Sequence, residues 1–168
     1  MIKWSKGIGR NNSIGNGAMM RISPVGYLFN SENEVIENAR LVTITSHNSK
    51  EAIESATIIA LMIYYFRNGL SKEEVFKKLN LLVKYEPFVK FNTTCKETLG
   101  NCLCAIYNST SFEDSIRKIL LMGGDTDTNC CIVGSVAESI YGMSDIQKED
   151  AISELPNEYV KILKEAYK

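Results

Sequence analysis

The sequence is short of the residues that most metal and redox sites need. It has one histidine, His47, and five cysteines with no CxxC pair among Cys95, Cys102, Cys104, Cys130 and Cys131. Soft-metal chemistry of the zinc type is therefore not expected. The longest apolar stretch, Ile58–Phe66, is too short to span a bilayer, so a membrane protein is not expected. No internal repeat or low-complexity segment stands out. An odd cysteine count, with no apolar leader behind the basic start, points to free thiols in a reducing cytoplasm.

What is present suits one globular domain over residues 1–168, with 45% apolar and 23% charged residues. The formal charge of −1 conceals an asymmetry. Residues 1–26 carry Lys3, Lys6, Arg10 and Arg21 and no acid, together with Gly7, Gly9, Gly15, Gly17 and Gly26. A basic, glycine-rich segment offers free backbone N–H groups to an anion such as a phosphate. A flexible tail has the same composition. The acidic remainder, and aromatics not interleaved with the basic residues, argue against nucleic acid.

After this loop the chain reads as helix. Residues 32–46 are apolar at Val35, Ile36, Ala39, Val42 and Thr43. Asn48 with Glu51 is expected to cap a helix running to Asn68, whose centre Ala56–Phe66 is broad enough to be buried. Ser71 with Glu74 opens a helix ending near Tyr85, and Thr94 with Glu97 opens the next. Further helices follow from Ser111 to Leu120 and from Asp125 to a cap at Gly142, then Ser144–Leu155 and Asn157–Tyr167. Cys130, Gly134 and Ala137 give the helix after Asp125 a small-residue face. No segment alternates as a strand, so the expectation is an all-α, multi-helix bundle.

Gly123-Gly124-Asp125-Thr126-Asp127-Thr128-Asn129 sits where one of those helices begins. Two carboxylates and a hydroxyl within one turn are hard oxygen donors, the kind Mg²⁺ and Mn²⁺ prefer. Read plainly, Asp125 is an N-cap and Asp127 complements the positive end of the helix. A calcium-binding EF-hand loop is rejected, because Cys130 and Val136 stand where its glycine and bidentate glutamate are required.

Three segments taken together resemble the ADP-ribosylglycohydrolases, all-α enzymes that remove ADP-ribose from proteins and related acceptors. Gly15-Asn16-Gly17-Ala18-Met19-Met20-Arg21 is similar to that family's GNGxxMR loop, and Ser46-His47-Asn48 with Ala52 and Ala56 to its S/T-H-N stretch. The run from Gly123 to Asn129 is similar to its GGDxDT signature. The resemblance implies that Asp125, Asp127 and Thr128 are metal ligands for one or two Mg²⁺, with Mn²⁺ the alternative. It implies that Gly15, Asn16, Gly17 and Met20 line bound ADP-ribose and that His47 lies near the nucleotide. A lone histidine between two helices is equally read as a capping or core residue.

The chain also departs from the family pattern. Members normally begin with a segment carrying a Thr-Asp-Asp motif that completes the metal shell, and no Asp-Asp pair occurs here. The chain therefore resembles the C-terminal portion of the fold, N-terminally truncated. Activity on an ADP-ribosyl bond would then need carboxylates from an N-terminal partner chain, which a second copy cannot supply. Surface left bare by the missing part would favour such a partner or self-association. The alternatives are a non-catalytic ADP-ribose or nucleotide binder and an inactive fragment. The acceptor stays open.

Overall fold

Residues 11–88 and 91–166 are described by a computed structural model, and every regular element among them is a helix. Lys3, Lys6, Gly7, Gly9, Arg10 and Tyr167, which figure in the sequence expectations, lie outside the described residues. Beyond the helices there is one isolated antiparallel bridge, between Gly15 and Thr94.

The expected glycine-rich loop is partly helical. It holds two short helices, α1 (Gly17–Met20) and α2 (Ser23–Leu28). Pro24 falls in the first turn of α2, where its fixed φ suits a helix start. Ala18, Met19, Ile22 and Val25 are buried, so this stretch is packed rather than free. Glycine spacing announced a loop, but the apolar residues between the glycines decided the local structure.

Helix α3 (Glu32–Ile44) starts at Ser31, whose side chain accepts the Glu34 N–H, and buries Val35, Ala39 and Thr43. Ile36 and Val42, expected on its inner face, are exposed. Helix α4 (Lys50–Arg67) is the central element. Its cap is Ser49, which accepts the Ala52 N–H, and not Asn48, whose N–H goes to Asn11 instead. Ala56, Ile59, Ala60, Met62 and Ile63 of α4 are fully buried. Each such Ile or Met side chain contributes about 1.5–3 kcal/mol relative to exposure.

Helix α5 (Lys72–Lys78) opens on a capping box between Ser71 and Glu74 but stops well before Tyr85. Asn80 takes a left-handed conformation (φ 51°), and the Leu81 N–H bonds back to the Phe76 carbonyl. That is a Schellman-type stop with Asn in the position glycine usually takes. Helix α6 (Cys95–Asn108) and α7 (Phe112–Met122) follow, then α8 (Thr126–Tyr141), which ends at Gly142. Two more, α9 (Asp145–Ser153) and α10 (Asn157–Ala166), bury no residue.

Helices α1, α2, α3, α6 and α8 all pack on α4. Gly26 lets α2 meet α4 backbone to backbone, since a Cβ there would stand 2.6 Å from the Ala60 carbonyl oxygen. The small face of α8 also meets a neighbour: a Cβ on Gly134 would sit 3.4 Å from Ile116 of α7. Among the described residues no helix is long and apolar enough to cross a membrane.

Candidate active site

The first motif is fastened to the start of α6. The Asn16 N–H donates to the Thr93 carbonyl (2.7 Å) and the Cys95 N–H to the Ile14 carbonyl (2.8 Å). The Cys95 thiol donates to the Gly15 carbonyl at 3.2 Å. Burial pushes that thiol up to about 12, so it stays protonated and serves as a donor. The loop is thus held by backbone pairing before any side chain acts.

Asn16 then reaches inward. Its side-chain amide donates to Asp125 Oδ2 at 2.7 Å and to Thr98 Oγ1 at 3.2 Å. Both Asn16 and Asp125 are buried. Gly123 and Gly124 adopt φ of 77° and 79°, a region glycine enters without penalty, and this turns the chain into α8. Asp125 occupies the N-cap position of α8, but its side chain makes no capping hydrogen bond. The plain N-cap reading therefore fails for its carboxylate, which is committed to Asn16.

Asp127 is exposed, one residue into the first turn, and in hydrogen-bonding reach of the Asp125 carboxyl. That contact, followed by the backbone N–H groups of Thr128 and of Asp127 itself, holds the Asp127 carboxyl below its ordinary value. Thr128 is buried beside them. Two carboxylates and a hydroxyl at a helix start form an oxygen donor set suited to a hard divalent cation. Three such donors are fewer than a hard divalent cation takes. No group of three or more His, Cys, Asp or Glu able to hold a metal exists among the described residues.

The second motif closes on the first from the α3–α4 connection. His47 is buried, and its Nε2 would lie 3.4 Å from a Cβ on Gly15 and 3.6 Å from one on Gly17. A side chain at either glycine would come into van der Waals contact with the imidazole. Nδ1 of His47 is 2.8 Å from Ser46 Oγ, which also accepts from Arg21 Nη1 at 3.1 Å. Arg21 Nε donates to the Gly17 carbonyl at 2.8 Å, so the last residue of the first motif clamps its own loop. Burial, and then the Arg21 guanidinium, hold His47 below its ordinary value.

Of the residues singled out by sequence, Gly15, Asn16, Gly17, His47, Asp125, Asp127 and Thr128 gather around one point where α1, α8 and the α3–α4 connection meet. Met20, at the end of α1, is 39% exposed, and its carbonyl accepts from the Cys131 thiol of α8 at 3.4 Å. Arg21, Ser46, Cys95 and Thr98 also belong to the assembly and were not singled out. Arg21 and Ser46 lie inside the quoted motifs, whereas Thr98 carried no sequence signal.

Comparison with known proteins bears on the family and the fold. The family model described as ADP-ribosylglycohydrolase matches residues 2–166. The chain is similar to ADP-ribosylarginine hydrolase Tri1 of Pseudomonas putida strain GB-1, at 24% identity over 82% of this chain and 41% of that protein. It is likewise similar to ADP-ribosyl-[dinitrogen reductase] glycohydrolase of Rhodospirillum rubrum, at 24% identity over 79% of this chain and 48% of the relative. A solved structure, an ADP-ribosylglycohydrolase-related protein complex, superposes with a TM-score of 0.68 at 25% identity. It covers 80% of this chain and 52% of that one. The chain thus spans less than half the length of these curated relatives. On the match over residues 2–166, carried by a helical fold that brings the three motifs together, the chain belongs to the ADP-ribosylglycohydrolase family.

Proposed function

We propose that this chain forms one wall of an ADP-ribosyl hydrolase cleft. The observation that carries this is the buried hydrogen bond from Asn16 to Asp125, which fixes the glycine loop beside the acidic signature. Gly15, Gly17 and His47 would then face the ADP-ribose, while Asp125, Asp127 and Thr128 face a divalent cation. Mg²⁺, or Mn²⁺ with the same oxygen preference, would supply positive charge that orients the distal ribose hydroxyls and offsets charge developing in the reaction. The chain's own work is positioning. Asn16 holds Asp125 in one orientation, and the glycines keep the approach to His47 open.

Hydrolysis also requires a carboxylate to activate water. Asp125 is held by Asn16 and both aspartates are given to the cation in this reading, so the remaining ligands and the base are assigned to a partner chain. Exposed apolar side chains such as Leu82, Phe91 and Leu121 support such a partner or self-association. The limited set of two carboxylates equally supports a second reading, a non-catalytic ADP-ribose binder. An ADP-ribosylated acceptor is the proposed substrate, by likeness to relatives named for ADP-ribosylarginine and ADP-ribosyl-dinitrogen reductase.

Calorimetric titration of the chain with ADP-ribose, with and without Mg²⁺, is the test. Metal-dependent binding supports the hydrolase wall. Binding indifferent to metal favours the binder, and no binding at all removes the ligand assignment for the isolated chain.

A further inference from the structure

The chain from Arg21 through Ser46 to His47 has a consequence for where one proton sits. We propose that Arg21, acting through Ser46, is a positioning residue that holds His47 neutral with its proton on Nε2. The glycine loop is then faced by an N–H donor and not by a lone pair or an imidazolium.

The argument starts from donor and acceptor capacity. A guanidinium only donates. Its Nη1 therefore occupies a lone pair on Ser46 Oγ at 3.1 Å, leaving the single hydroxyl proton to be placed. Among the described residues Ser46 Oγ has no other partner but His47 Nδ1, at 2.8 Å. Ser46 is buried, and a buried hydroxyl proton goes to an acceptor where one is in reach. If Nδ1 carried its own proton, the Ser46 proton would have no acceptor among the described residues. With Nδ1 accepting, a neutral imidazole must carry its hydrogen on Nε2.

The charged form is disfavoured independently, because His47 is buried and lies beside the Arg21 guanidinium. Nε2 has no hydrogen-bond partner among the described residues and is not sealed away from solvent. It lies beside Gly15 and Gly17, where an added Cβ would come into van der Waals contact with it. Such a donor fits an oxygen acceptor, either a phosphate oxygen or a sugar hydroxyl. That last step rests on the ADP-ribose reading, whereas the proton's position does not.

His47 is the only histidine, so the ¹⁵N-labelled full chain gives one imidazole pattern in a long-range ¹H–¹⁵N correlation spectrum. At neutral pH the expected pattern is the neutral form protonated on Nε2. Ser46→Ala and Arg21→Gln should each move it toward a mixture of the two tautomers, and Arg21→Lys, which keeps a donor for Ser46, should move it back. A wild-type spectrum showing Nδ1–H or the imidazolium overturns the proposal. So does an unchanged Nε2–H pattern in folded Ser46→Ala and Arg21→Gln chains. Should a variant unfold, the wild-type spectrum alone still decides. Added ADP-ribose should shift the Nε2 signals. A correct tautomer with no such shift upholds the positioning role and counts against the ADP-ribose reading.

Discussion

The side-chain amide of Asn16 donates to Asp125 Oδ2 at 2.7 Å, joining two motifs 109 residues apart in the chain. An asparagine in a glycine-rich loop would ordinarily be read as a ligand contact or a turn former. Here it is the strut that gives a buried carboxylate one orientation.

Removing that strut should cost stability as well as function. Asn16→Ala leaves Asp125 without its charge-assisted partner, a loss of about 1.5–3 kcal/mol. Urea denaturation should show this as a lower midpoint at unchanged slope. Asn16→Asp, which sets two carboxylates together, should be worse still at neutral pH.

Asp127 should behave in the opposite way. It is exposed, so Asp127→Ala should leave the urea midpoint almost unchanged, since an acid at a helix start contributes little there. The same change should abolish Mg²⁺-dependent ADP-ribose binding in calorimetry. Unaltered binding would mean that Asp127 is not a metal ligand.

Two glycines can be told apart by why they are needed. Gly26→Ala would drive a methyl into the Ala60 carbonyl and Ile63, and the overpacking should cost about 1–3 kcal/mol. Gly124→Ala would place a Cβ at φ 79°, costing about 1–2 kcal/mol, and would crowd the Phe88 ring. Gly26→Ala should lower the melting temperature while sparing ligand affinity per folded molecule. Gly124→Ala should lower both, because the turn it disturbs presents Asp125.

His47 sets a pH dependence whose sign follows from its depressed folded value. Above its unfolded value of about 6.5 both states are neutral there and the full stability is present. As pH falls below that point the unfolded chain takes up the proton first, so stability declines until the folded value is reached. The slope contributed is at most about 1.4 kcal/mol per pH unit. Denaturation midpoints measured from pH 7 downward should therefore fall less steeply in His47→Gln than in the wild type.

Helix type and order were legible in the sequence because caps and apolar spacing agree over most of the chain. Ser71 with Glu74 and Ser111 with Asp114 act as their spacing suggests. The misreadings have local causes. Asn48 and Ser49 are both good caps, and the second takes the role while the Asn48 N–H pairs with the Asn11 carbonyl. Asn80 stops α5 through a left-handed turn that asparagine signals far less strongly than glycine. The site was legible as three motifs but not as an assembly. Thr98 has no local reason to matter, and the dual engagement of Ser46 becomes visible only once Arg21 is beside it.

The uneven burial of the helices means that the molecule should not come apart all at once. Helices α9 and α10 bury nothing, so their amides are guarded by little more than their own hydrogen bonds. Deuterium should enter there by brief local opening, long before it reaches the amides of α4, which should wait for global unfolding. An exchange map would then draw a boundary near Gly142, with a slowly exchanging body on one side and a rapidly labelled extension on the other.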